Sequence, residues 1–171
     1  MNRIDNEVLA VELGHALLAR GLRVATAESC TGGLLAGAIT SVAGSSDWFD
    51  RGFVTYSNDA KTELLGVPRA LLETHGAVSE PVAASMAAGA LAHSRADLGV
   101  AVTGIAGPGG GTPGKPVGMV CFAWARRGDG LPSVRTERLA GDRAAVREAS
   151  VRIALEGLID AGTALSGRNS P

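Results

Sequence analysis

The chain has 171 residues and a formal net charge of −1, from 16 basic against 17 acidic side chains. That length suits one domain, and the charge balance gives no electrostatic case for nucleic acid or a membrane surface as partner. Apolar residues make up 46% and aromatics only 4%, which excludes disorder of the whole chain and requires a core of Ala, Val, Leu and Ile.

Glu7 to Ala19 reads as a helix with Val8, Val11, Leu13, Leu17 and Leu18 on its apolar face and Gly21 as its stop. Leu22 to Ala27 fits a short strand. The turn Glu28-Ser-Cys-Thr-Gly-Gly33 follows, then a second helical stretch to about Thr40. Gly52 to Tyr56 is another strand and Asn58 to Leu65 a short helix. Ser79-Glu80-Pro81 is a helix start, with Ser as cap and Pro in the first turn; the Ala-rich helix behind it runs to about Ser94. Leu98 to Val102 is apolar throughout, like a buried parallel strand. Val117 to Ala125 and Val134 to Leu139 read as strands, paired as a hairpin, and a helix from about Asp142 to Asp160 closes the domain. This order predicts an α/β fold, a three-layer αβα sandwich with a mixed, mostly parallel central sheet. One domain is expected over residues 1–165 and a disordered tail over 166–171. No secretory apolar stretch and no run near ~18 apolar residues is present, so a cytoplasmic protein is expected. Cys30 and Cys121 have neither metal-ligand nor disulfide spacing.

Sites in such sheets gather at the carboxyl ends of strands. Two segments meet that description, Glu28 to Gly33 and Thr103 to Lys115, and they are expected to form one site. Seven glycines and three prolines fall between Gly104 and Gly118. Gly109 to Lys115 nearly spells a P-loop, but Pro116 replaces the required hydroxyl residue and a strand, not a helix, comes next. The G-x-G-x-x-G spacing of Gly109, Gly111 and Gly114 fails the same context test. A proline-stiffened loop that approaches a ligand remains, beside the plainer reading of a flexible crossover.

Ser29 sits where a strand hands over to a helix, so it is a candidate nucleophile near free first-turn N–H groups; Ser29 or Thr31 equally reads as a helix cap. Cys30 is a rival nucleophile or a packing residue. A nucleophile needs a base. His15 and His93 lie in helices, whereas His75 in its Thr-His-Gly turn stays possible. Lys61, near a helix start just past a strand, would have its pKa lowered by the helix dipole and by desolvation, or would be a solvated surface lysine. Arg143 at the start of the last helix is a candidate phosphate partner or an exposed first-turn arginine.

Several long segments resemble the family of the CinA C-terminal domain and its stand-alone nicotinamide-nucleotide amidohydrolases. They are Thr26-Ala-Glu-Ser-Cys-Thr-Gly-Gly33, Gly44-Ser-Ser-Asp-Trp-Phe49, Arg51 to Asn58 with Lys61, His75 to Pro81, Thr103 to Gly110, Lys115-Pro-Val-Gly118 and Gly141-Asp-Arg143. The stand-alone form is expected, since the molybdopterin-cofactor-like domain of longer relatives has no counterpart. The resemblance implies hydrolysis of nicotinamide mononucleotide to nicotinate mononucleotide and ammonia, with no metal or organic cofactor, by a homodimer or higher homo-oligomer. It implies Ser29 as nucleophile and Lys61 as base, with Tyr56 and Ser46 orienting the dyad or the amide. Backbone groups around Cys30, Thr31 and Gly32 would hold the oxyanion. Glu28, Thr103, Gly104, Ile105, Ala106, Gly107 and Arg143 would contact the nucleotide. A nucleotide-binding or interaction module tied to competence or recombination is the alternative.

Overall fold

The structure, a computed structural model, describes residues 3–164; the expected tail at 166–171 lies outside them. Five strands form one sheet in the order β2-β1-β3-β4-β5. β1 (Val24–Glu28) runs parallel to β2 (Phe49–Val54) and to β3 (Leu98–Gly104). β4 (Met119–Arg126) and β5 (Ser133–Arg138) continue the sheet antiparallel, the predicted hairpin. The two central parallel strands are buried almost throughout, which is why they read as apolar runs rather than alternating ones.

Alternation along the strands divides the core in two. Val24, Val100, Val102, Val120 and Phe122 face α1 (Arg3–Leu18), α2 (Leu34–Thr40) and α6 (Arg143–Thr163). Ala25, Ala27, Ala101, Cys121 and Ala123 face α3 (Asn58–Leu65), α4 (Arg69–His75) and α5 (Glu80–Ala92). The small side chains of this second face let α5 lie on the backbone of β3: a Cβ at Gly99 would stand 2.8 Å from the Ala87 carbonyl oxygen. Few aromatics are needed where helix and sheet approach so closely. The result is the three-layer αβα arrangement, and no helix among the described residues is long and apolar enough to cross a membrane.

Helix starts follow their sequence signals. Ser79 accepts from the Val82 N–H and Asp142 from the Ala145 N–H, as N-caps do. Other boundaries moved. α1 begins at Arg3, ahead of its apolar stripe, and β2 ends at Val54, so Thr55 and Tyr56 leave the strand. α4 is not foreshadowed by the sequence, because seven residues between Pro68 and Gly76 carry less than two turns of periodicity. The second helix runs from Leu34 to Thr40, after the polar turn, as expected. The glycine segment is closed at its root by Ile105 N–H donating to Met119 and Gly118 N–H donating to Ile105. It is a loop between two antiparallel strands, and the P-loop context is absent.

Candidate active site

β1 ends at Glu28, and the next turn is tied on all sides. Ser29 N–H donates to Val102 of β3 at 2.9 Å, and Gly32 N–H returns to the Ser29 carbonyl at 3.0 Å. Gly32 has φ +57°, a left-handed conformation that glycine adopts freely. On the neighbouring strand, Thr55 N–H donates to the Glu28 carbonyl at 2.8 Å, so the ends of β1 and β2 stay paired. Ser57 caps α3 through the Ala60 N–H at 3.0 Å. Lys61 and Leu65 are the buried residues of that helix, one turn apart on its inner face.

This placement carries the Lys61 side chain under the two strand ends. Its Nζ lies 3.0 Å from Ser29 Oγ and 2.8 Å from the Thr55 carbonyl oxygen. Lys61 is only 2% exposed. Burial holds its pKa below the ordinary lysine value, opposed in part by the neighbouring Cys30. Desolvation, one of the two causes expected from the sequence, is the lowering one found here. The Thr55 carbonyl takes one N–H in either protonation state. In the neutral amine, the lone pair is then free to accept the Ser29 hydroxyl proton. Lys61 is therefore not a surface lysine, and the pair has the contact a serine–lysine dyad needs.

The rival nucleophile is poorly placed for chemistry. Cys30 is 6% exposed and packs in the core beneath α6, and burial pushes its thiol up to about 11. His75 is exposed at the end of α4, where its carbonyl accepts from Lys115 Nζ.

Four expectations need correction. Glu28 does not face a nucleotide: it is fully buried, and its carboxylate accepts from Leu35 N–H at 2.9 Å and Ala36 N–H at 3.0 Å. Those first-turn donors of α2 are thereby consumed, so they cannot hold an oxyanion. Among the described residues, the N–H groups of Cys30, Thr31 and Gly33 in the turn itself have no backbone acceptor. Thr103 is 1% exposed and gives its hydroxyl to the Ala77 carbonyl at 2.9 Å, because its strand position faces the α4–α5 layer. Ser46 precedes β2, and the Trp48 carbonyl pairs with Val24 at the start of β1. In parallel strands the starts lie together, so Ser46 sits at the opposite end of the sheet from Ser29, roughly 15 Å of strand away.

Arg143 and Tyr56 bridge the two expected segments. Arg143 donates through Nη1 to the Gly107 carbonyl at 2.9 Å and through Nη2 to the Tyr56 hydroxyl at 2.8 Å. A Cβ on Gly32 would come within 4.0 Å of the Tyr56 ring, so Tyr56 overhangs the Ser29 turn. Gly104 and Ile105 are engaged in the pairing with β4. From Ala106 on, the loop lines a groove of about 500 Å³, with Ala106, Pro108 and Val117 facing the α6 residues Arg143 and Arg147. Arg147 was not singled out from the sequence. The signal was its spacing of one turn from Arg143 on α6, which puts two guanidiniums on one face.

The sequence profile of the CinA C-terminal domain matches residues 6–161. The chain is 56% identical over 157 residues to the nicotinamide-nucleotide amidohydrolase PncC of Escherichia coli K12, covering 90% of this chain and 94% of that protein. It is 60% identical to a competence-damage inducible protein of Symbiobacterium thermophilum across 84% of its own length, but spans only about a third, 35%, of that longer relative. The crystal structure of the competence/damage inducible protein CihA of Agrobacterium tumefaciens superposes with a TM-score of 0.89 at 53% identity, covering 91% of this chain and 94% of that one. The match takes in the Ser29 turn, Lys61, the glycine loop and the start of α6, and the chain belongs to the CinA C-terminal domain family.

Proposed function

We propose that this protein hydrolyses the carboxamide of nicotinamide mononucleotide, releasing nicotinate mononucleotide and ammonia. The observation that carries the reading is the 3.0 Å contact between Lys61 Nζ and Ser29 Oγ in a buried setting; the E. coli relative's name supports the substrate. Ser29 Oγ attacks the amide carbon as its proton passes to neutral Lys61. The tetrahedral oxyanion forms beside the N–H groups of Cys30 and Thr31, which among the described residues have no backbone acceptor. The C–N bond then breaks, and Lys61 returns the proton to departing ammonia. Water attacks the acyl carbon, giving a proton to Lys61; the bond between that carbon and Ser29 Oγ then breaks, and Lys61 returns the proton to Oγ, regenerating Ser29. The pyridinium charge of the substrate draws electrons from the carbonyl and favours attack.

The groove beside Ala106, Pro108 and Arg143 suits the ribose phosphate, and Arg143 is also bonded to the Gly107 carbonyl and the Tyr56 hydroxyl. We assign no direct role in nucleic-acid binding, which the charge balance supports. We place the enzyme in the cytoplasm as a homo-oligomer; Val8 and Val11, exposed one turn apart on α1, support association. Ammonia release from nicotinamide mononucleotide is the direct assay. Ser29→Ala and Lys61→Ala should each abolish it with the circular dichroism unchanged. Binding without release by the wild type would refute the reading and leave a nucleotide-binding module.

A further inference from the structure

Arg147 makes two hydrogen bonds, both to the nucleophile's turn across a sequence separation of more than a hundred residues. Its Nε donates to the Cys30 carbonyl and its Nη2 to the Thr31 carbonyl, each at 3.1 Å. The Thr31 carbonyl has a second donor, the Leu34 N–H at 3.1 Å. Among the described residues, the Cys30 carbonyl has Arg147 alone.

Peptide geometry makes that bond consequential. The Cys30–Thr31 peptide is trans, so its C=O and N–H point in opposite directions within one plane. Arg147 belongs to α6, on one face of the sheet, whereas Lys61 reaches Ser29 from α3 on the other. A Cys30 carbonyl drawn toward α6 sends the Thr31 N–H away from it, toward the side on which Ser29 Oγ meets Lys61. That N–H is one of those left without a backbone acceptor. Gly32 completes the arrangement: a Cβ there would stand 3.5 Å from Arg147 Nη2, against the guanidinium.

We propose that Arg147 is a positioning residue, which grips the Cys30 and Thr31 carbonyls and so aims the Thr31 N–H at the oxyanion formed on attack by Ser29. The proposal rests on the acyl-serine reading above. It requires the planar fork of arginine, because a lysine ammonium is a point charge on a flexible stem and does not hold two carbonyls in fixed directions.

The test uses the full chain with Arg147→Gln and Arg147→Lys, at a temperature where both keep the wild-type near-UV circular dichroism. Losing an oxyanion donor costs about 10²–10³ in kcat, and misaiming one should cost about 10–100-fold. Both variants are therefore expected to lose kcat for nicotinamide mononucleotide by that factor, with KM within about threefold. An unchanged kcat with a raised KM would overturn the proposal, since Arg147 would then be holding the substrate's phosphate. Full recovery of kcat in Arg147→Lys would also overturn it, because charge alone would suffice. A second readout is independent of the substrate assignment. A fluorophosphonate probe labels Ser29 by forming a P–O bond as the P–F bond breaks, with the serine proton passing to Lys61 and the phosphoryl oxygen occupying the oxyanion position. Labelling should slow about 10-fold or more in both variants. Labelling at the wild-type rate would refute the role of Arg147, whereas absence of ammonia release by a wild type whose Ser29 still labels would refute only the substrate.

Discussion

Gly89→Ala tests whether helix packing sets the dyad distance. Gly89 lies in α5 against the carboxyl end of α3, and a Cβ there would be 2.1 Å from the Leu65 carbonyl oxygen and 2.9 Å from its carbon. Non-bonded contacts settle near 3.5 Å, so the two helices must part by roughly 1 Å. α5 cannot retreat, because it already lies on the β3 backbone at Gly99. α3 must move instead, and it takes Lys61 with it, one turn from Leu65. The 3.0 Å contact of Lys61 Nζ with Ser29 Oγ would open to about 4 Å, beyond hydrogen-bond range. A displacement of that size is expected to lower kcat by about 10²-fold. Overpacking should cost about 1–3 kcal/mol, less up to about 1 kcal/mol that alanine gains over glycine in a helix. The net cost of about 0–3 kcal/mol is, for a domain of this size, a fall in Tm of up to roughly 12 °C. Steady-state ammonia release and calorimetry measure the two effects. Wild-type kcat together with wild-type Tm would show that α3 and α5 do not set the position of Lys61.

Four further outcomes concern the site itself. Turnover should rise with pH along a limb belonging to Lys61, with its midpoint below the ordinary value of 10.5; a flat profile would remove the lysine as base. Because the folded-state pKa is depressed, the unfolded chain binds more protons between that pKa and 10.5. Wild-type stability should therefore gain on Lys61→Met as pH rises through that window, measured by urea melts from about pH 7 upward. Glu28→Gln leaves one α2 N–H facing an amide N–H₂ instead of a carboxylate oxygen, and should cost about 2–4 kcal/mol in urea unfolding without raising KM. A stable variant with a raised KM would return Glu28 to the nucleotide site. Cys30→Ala should keep kcat within about fivefold, since a thiol pushed up to about 11 is protonated at neutral pH; complete loss with the fold intact would move the nucleophile to Cys30.

Local features were the legible ones in the sequence. The caps Ser79 and Asp142 and the apolar runs of β1 and β3 announce themselves by residue type and period. Ser29 and Lys61 stood out by lying just past strand ends, yet their contact depends on β1 and β2 running parallel with ends in register. Ser46 went astray for the same reason, since strand direction decides which end of the sheet a neighbouring turn joins. Glu28 entered as a site residue through the family resemblance and its place in the polar segment; nothing in its neighbours shows that its side chain reaches the Leu35 and Ala36 N–H groups of α2. Arg147 was masked by its setting, a long helix in which one arginine among several reads as solvent-facing.

The contacts of the Ser29 turn come from both faces of the sheet: Lys61 arrives from the α3–α5 layer, Arg147 from the α6 layer, and the serine from the strand between them. The reacting geometry is thus a measurement taken across the full thickness of the molecule. No excised half of the chain can retain it. On heating or in denaturant, turnover should fail when the first of the three layers loosens, ahead of the helical signal. Catalytic activity is then the most sensitive gauge of this fold's integrity.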